Sequence, residues 1–237
     1  VFLHKPLWFI SERYQSFGIF DKTQWPKVEK LLHGRRHTVF AGHTHHYAQF
    51  HRNGATYYQL ATTGGSSQLR GVPYGEFDHI MWLTMEQEGP YVVNLLLDGI
   101  VPGDRVTEET LAQFRKFLRE AKVEVAPILL SPGEGLRQGQ IDIRLTNALD
   151  VPVRVSGRLE GLPLRGLSQQ PVDLKLSAEA GQRDQLSVGV SFAEPIPVAD
   201  LGSTLFRARV ETEGAKPLRA DLSIPVVIDR RYECPQI

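Results

Sequence analysis

Residues 38–47 read Thr38-Val39-Phe40-Ala41-Gly42-His43-Thr44-His45-His46-Tyr47, and the reading of the first part of the chain turns on them. A short β-branched and apolar run ending at a glycine predicts a buried strand over 38–41 followed by a tight turn. In extended backbone, residues two apart project to the same side, so His43 and His45 are expected to point together into one site. Neutral imidazole is the commonest metal ligand, and Gly42 lets the backbone bend just before the pair. Taken alone, the pair reads equally well as two surface or core histidines.

Toward the N-terminus, Phe2-Leu3-His4-Lys5-Pro6 sets another histidine directly after a short apolar strand over 1–3. Ligands of open α/β sheets gather beyond the carboxyl ends of strands, so His4 is expected to meet the 43/45 pair at one sheet edge. Pro6 stiffens the backbone just after it. Between the two motifs, Trp25, Val28, Leu31 and Leu32 recur at helical spacing, with Pro26 in the first turn and Gly34 past the end. That pattern predicts a helix over 23–33. Aromatic and β-branched runs downstream predict strands over 55–62, 77–85 and 91–97, with Gly64-Gly65-Ser66 as a loop and His51 in another.

The 237 residues allow one domain or two, and their distribution favours two. All eight His lie at or before residue 79, and 16 of the 21 aromatics precede residue 100. Residues 1–60 carry eight Lys and Arg against three Asp and Glu, whereas the remainder carries 19 against 24. The boundary is placed at 105. The basic surplus of the first segment suits an anionic substrate and equally a solvated face. Zero formal net charge argues against a nucleic-acid coat. No apolar run approaches the roughly 18 residues of a membrane span, so no transmembrane segment is expected. The single cysteine, Cys234, excludes an internal disulfide and a Cys-based zinc cage. The chain opens inside a strand with no signal peptide visible, and is read as the C-terminal part of a longer protein; an exported and a cytosolic setting suit it alike.

Thr107 followed by Glu108 and Glu109 reads as a helix start. Leu111, Phe114, Phe117, Leu118 and Ala121 then form one apolar stripe, so a connecting helix is expected over 106–122. From 123 the period changes to two: Ile141, Ile143 and Leu145, then Val151, Val153 and Val155, then Leu174 and Leu176, then Leu186, Val188 and Val190. About seven such strands predict an all-β, immunoglobulin-like sandwich over 123–237. Its only aromatics are Phe192, Phe206 and Tyr232, too few for sugar-binding platforms, which leaves a structural or protein-contacting role.

The order of strand, His4, Pro6, helix, strand and Gly42-His43-Thr44-His45 resembles the C-terminal half of the calcineurin-like metallophosphoesterases. Residues 42–47 also look like the corresponding segment of purple acid phosphatases. The resemblance covers about 1–100. It implies an α/β domain, a two-layer β-sandwich flanked by helices, that holds two divalent or trivalent metal ions (Fe, Mn or Zn). By resemblance, His4 and His43 ligate one metal and His45 the other, and the reaction is hydrolysis of a phosphate-ester substrate by a metal-activated hydroxide.

The family's Asp-x-His, Gly-Asp-x-x-Asp and Asn-His motifs do not occur in this sequence. The bridging carboxylate and the leaving-group acid are therefore expected in an N-terminal half, and this stretch alone is expected to be inactive. Lys5, His46, Tyr47 and His79 stand as candidates to contact substrate or to orient ligands. Two competing readings remain open. One is a non-catalytic module on a degenerate phosphoesterase scaffold whose sandwich contacts a partner protein or a glycan; the other is a mononuclear structural His site.

Overall fold

Phe2–Leu3 (β1) lies parallel to Thr38–Ala41 (β2), with Phe2 opposite Phe40 and Leu3 opposite Ala41. Parallel neighbours need a crossover, and Leu7–Arg13 (α1) and Trp25–Leu32 (α2) lie on it. Ala48–Arg52 (β3) and Ala55–Gln59 (β4) complete a mixed sheet in the order β1-β2-β4-β3, with β4 parallel to β2 and β3 antiparallel to β4. The computed structural model describes residues 1–13, 23–131, 135–161, 173–214 and 217–230. Cys234 and Tyr232 lie outside the described residues.

The helices are held to this sheet by aromatic packing. Trp8 of α1 meets Tyr57 edge-on with ring centroids 5.0 Å apart, and Trp25 of α2 meets the same ring at 6.2 Å. Arg52 on β3 donates to Glu29 at 3.1 Å and to Glu12 at 3.1 Å, so one half-buried guanidinium ties the carboxylates of both helices to the sheet. The expected helix over 23–33 is observed at 25–32, preceded by Gln24 at φ 55°. Helix α1 is not anticipated by the sequence reading, because seven residues are too few to display a helical period.

Strand β3 corrects the expectation that His51 sits in a loop: His51 pairs with Thr56 and is exposed. The missed signal is Asn53-Gly54, where φ values of 49° and 78° are those of the two-residue turn that joins tightly paired antiparallel strands. A second, antiparallel sheet is formed by Ile80–Glu86 (β5), Gly89–Leu95 (β6) and Ile100–Pro102 (β7) in that order. Met81, Leu83 and Val92 from it join the core that contains Trp8, Phe40, Tyr47 and Phe77.

The chain forms two compact units, Val1–Arg115 and Lys116–Ile237. Helix α3, Glu108–Glu120, spans that division. Its start is the one expected: Thr107 Oγ1 accepts from Thr110 N at 3.1 Å, and Thr110 Oγ1 accepts from Thr107 N at 2.8 Å. Ala121, expected on the helix stripe, instead opens Ala121–Val125 (β8), where it pairs with Asn147.

The second unit is a β-sandwich. After Ile128–Leu130 (β9) come Leu136–Asn147 (β10), Val153–Glu160 (β11), Leu174–Ala178 (β12), Arg183–Ile196 (β13), Leu205–Thr212 (β14), Arg219–Pro225 (β15) and Ile228–Arg230 (β16). One sheet runs β13-β10-β8, a second runs β12-β11-β14-β15, and β16 pairs with β9. The period-two reading marks the inward residues correctly: Ile141, Ile143, Leu145, Val153 and Val155 are fully or almost fully buried. Val151 departs from it, lying two residues before β11 starts. The intervening residues face outward and pair across strands, as Arg209 does with Asp221 at 2.8 Å.

This alternation makes a paired test. Ile143→Ala empties a fully buried position and is expected to lower stability by about 2–5 kcal/mol in urea denaturation followed by circular dichroism. Arg144→Ala, one residue along on the outward face, is expected to change it by no more than about 0.5 kcal/mol.

Candidate functional site

The parallel pairing of Leu3 with Ala41 sets the next two residues, His4 and Gly42, side by side, and Gly42 N donates to His4 O at 3.0 Å. His43 follows at once. Its Nδ1 lies 3.1 Å from His4 Nε2, with the rings edge to face and their centroids 4.9 Å apart. Both residues are exposed. The adjacent carboxyl ends of β1 and β2 therefore bring two of the three expected imidazoles together.

The third, His45, is held differently from what alternate projection along an extended strand predicts. Residues 43–45 are not extended. Thr44 N donates to Gly42 O at 3.0 Å, which closes a three-residue turn around His43 at φ 76°, and His45 follows at φ 56°. Alternate projection along a strand does not apply in such a turn. His45 instead donates from Nδ1 to Ser66 O at 2.5 Å, which leaves the lone pair on Nε2. Among the described residues, no three His, Cys, Asp or Glu side chains gather where they could hold one ion.

His4 and His43 form an exposed pair of neighbouring imidazoles. Their nitrogens, 3.1 Å apart, are hydrogen-bonded, one donating its N–H to the lone pair of the other, so a cation would have to replace that shared proton to take both as ligands. Slight desolvation and the positive charges of Lys5, His4 and His45 hold the exposed His43 below the usual imidazole range, which favours its neutral form. Lys5 is exposed directly after His4.

Residues 62–79 wall in the histidine turn. Gly65 is required there by close approach: a Cβ would run into Thr62 Oγ1 and come within 3.1 Å of the His45 ring. Its N–H donates to Thr62 Oγ1, and Gly64 N donates to Asp78 Oδ1 at 2.9 Å. His46 places Nδ1 2.7 Å from Thr44 O and Nε2 2.9 Å from Glu76 Oε1. Glu76 is buried, and Arg70 grips it with Nε on Oε2 at 2.7 Å and Nη2 on Oε1 at 2.5 Å. The Arg70 hydrogen bonds, outweighing the opposing effect of burial and aided by Arg70 and His46 charge, hold Glu76 below the usual carboxylate range. Neither Arg70 nor Glu76 is singled out by the sequence, since each stands alone among residues of other types.

Tyr47 and His79 lie in the core, which removes them from a substrate-contact role. Tyr47 is fully buried, and its hydroxyl donates to Gly103 O at 2.7 Å. Burial, only partly offset by the Asn94 amide, pushes its phenol far above the usual range. His79 Nδ1 donates to Asn94 Oδ1 at 2.8 Å, and its ring stands edge-on to Tyr47.

No protein-family model matches the chain. No curated protein matches it. Solved structures similar in part include the ASH / PapD-like domain of human CEP192 (PapD-like domain 7), at 15% identity over 47% of this chain and 89% of that one, with a TM-score of 0.23. Red sea bream transglutaminase matches at 8% identity over 62% of this chain and 26% of its own, with a TM-score of 0.27. A β-glucosidase from Listeria innocua, in complex with glucose, matches at 11% identity over 87% of this chain and 33% of its own, with a TM-score of 0.17. At these levels the β-rich architecture rests on the strands of the chain itself.

The buried His79 makes stability pH-dependent in a stated direction. Burial, against the opposing Asn94 hydrogen bond and Asp78 charge, holds its imidazole below the ordinary value of about 6.5. The unfolded chain therefore takes up a proton at this residue before the folded one does, and the contribution is lost as pH falls through and below about 6.5. His79→Gln is expected to lose stability less steeply than the native chain between pH 7.5 and 5.5, measured by urea denaturation with tryptophan fluorescence.

Proposed function

We propose that this chain supplies the C-terminal histidine ligands of a dinuclear metal-dependent phosphoesterase and carries an immunoglobulin-like sandwich beside that α/β region. The observation that supports the reading is the meeting of His4 and His43 at the ends of adjacent parallel strands, in the order in which the resemblance sets its two histidine motifs. His4 and His43 would ligate one metal. His45, with Nδ1 committed to Ser66, would offer Nε2 to the other. Bound metals of this kind supply Lewis acidity at a phosphate ester and at the attacking water.

What the chain's own residues do follows from their placement. The turn at His43 aims its ring at His4, and the Ser66 carbonyl selects the tautomer of His45. Lys5, exposed beside the pair, would attract an anionic substrate to that edge. The bridging carboxylate and the acid for the leaving group would come from sequence preceding Val1, and the second unit would act as a structural or protein-contacting module.

In a full-length protein carrying both halves, His43→Ala is expected to abolish turnover of phosphate esters and to reduce metal content measured by elemental analysis. Unchanged kinetics and metal content would discard the assignment. The 237-residue chain alone is expected to show no metal-dependent phosphatase activity, and robust activity from it would contradict the division of the site between two halves.

A further inference from the structure

The sheet of β5, β6 and β7 is apolar on both sides. Met81, Leu83 and Val92 face the core of the first unit. Their neighbours along the strands alternate to the opposite side, where Ile80 stands across from Leu95, Leu95 from Ile100, and Trp82 from Val93, with Tyr91 two residues before Val93. An antiparallel sheet with one face on a core ordinarily turns polar residues outward. Here the outward side chains are apolar, and Ile80, Trp82, Tyr91 and Ile100 are 63%, 60%, 60% and 69% exposed. Ile80-Met81-Trp82-Leu83 carries the same signal in sequence, an unbroken apolar run of the kind found in strands covered on both faces.

Area and charge indicate what covers this face. With a whole aromatic side chain presenting about 150–250 Å2, the six outward residues offer on the order of 500 Å2 of apolar surface. Monomers rarely leave more than about 300–600 Å2 uncovered in one patch. A standard interface removes about 800 Å2 from each partner and homodimer interfaces are about 65% apolar, which asks for about 500 Å2 of apolar surface a side. None of the six residues carries a charge. In a two-fold contact each patch meets its own copy, so a charged face would repel itself and this one does not. Two sheets also pack face to face about 10 Å apart with their strands nearly aligned, which makes such a face self-complementary in shape.

We propose that the outward face of β5, β6 and β7 is a dimerisation surface whose occupant is the same face of a second copy of this chain. Trp82 and Tyr91 are its anchors, being of the residue types that most often dominate interface energetics. Glu86 ends the β5 row and Asp98 lies in the turn between β6 and β7, both exposed, so acidic groups fringe the patch at two ends and come near their copies. Salt screens that repulsion, so the dimer tightens as ionic strength rises. The face belongs to the sheet that does not carry β1 and β2, so its occupancy and the metal-site reading stand or fall separately.

Sedimentation equilibrium of the 237-residue chain between about 0.1 and 300 µM, a range suited to an interface of this size, is expected to show a reversible monomer–dimer equilibrium. Trp8 and Trp25 are buried, so Trp82 is the tryptophan whose emission reports solvent at this face, and that emission is expected to move to the blue as dimer forms. Trp82→Glu, which sets two carboxylates against each other, is expected to weaken the dimer by about thirtyfold or more. Leu31→Glu, at an exposed apolar residue of α2, is expected to leave the dissociation constant within about twofold. Should Trp82→Glu fail to fold by circular dichroism, Ile100→Glu on the edge strand β7 takes its place with the same expected loss. A chain monomeric across the range, a dimer whose tryptophan emission does not move, a dimer that survives both Glu substitutions in this face, or an equal loss in Leu31→Glu would each overturn the proposal. So would a dimer that loosens as salt is raised from about 0.05 to 0.5 M, the behaviour of a contact held by ion pairs.

Discussion

Two backbone pairings, Phe2 with Phe40 and Leu3 with Ala41, anchor the histidine edge of the first unit. They are short, but they are reinforced. Val1 N donates to Thr38 O at 2.8 Å, and Phe40 N donates to Val1 O at 2.9 Å. Across the same register, Phe2 stacks on Phe40 at 5.1 Å, and Phe40 stacks on Tyr58 of β4 at 5.2 Å. An aromatic ladder of this kind resists slippage, because a one-residue shift would carry each ring to the opposite face of the sheet. Because the strands are parallel, whatever follows β1 and β2 emerges at the same end. That is why His4 and His43 meet although 39 residues separate them.

The turn beyond β2 carries a conformational cost that the surrounding hydrogen bonds offset. Two non-glycine residues in left-handed backbone cost on the order of 1–3 kcal/mol each. Against this stand the Gly42–His4 and Thr44–Gly42 backbone bonds, the His45–Ser66 bond, the His46–Glu76 pair, and the Gln59 amide donating to His46 O at 3.1 Å. The histidines are thus presented by a strained turn held at several points, not by a strand with free ends. Strain maintained in this way at a cluster of ligand-type residues is the pattern expected of a functional site.

Much of the secondary structure was legible, and the places where reading failed share a cause. Strand 38–41, the Thr107 helix start and the inward residues of the sandwich were readable because each is specified by its neighbours in sequence: an apolar run, a cap, a period of two. Helix α1 was too short to show a period. Strand β3 is short, and its one local signal is the Asn53-Gly54 hairpin turn. Ala121 fits the apolar stripe of helix α3, and nothing local shows that the helix gives way directly to a strand there. For the site, residue types were visible and their conformation was not. Gly-His-x-His is compatible with an extended chain, and the left-handed φ at His43 and His45 goes with a local Thr44–Gly42 bond and with contacts from His4, Gln59, Ser66 and Glu76 that no sequence window shows.

The sequence by itself determined which imidazoles are available and that His4 and Gly42-His43 follow apolar strands. It also determined that an aromatic, histidine-rich α/β region precedes a histidine-free β-sandwich, because composition and periodicity are local properties. Only the tertiary structure decided that His4 and His43 face each other while His45 turns to Ser66, that Tyr47 and His79 belong to the core, and that Glu76 and Arg70 stand behind the turn. Those outcomes depend on strand register and on which distant backbone groups come within hydrogen-bonding distance. Both are set by the packing of the whole unit, and no short window of sequence encodes them.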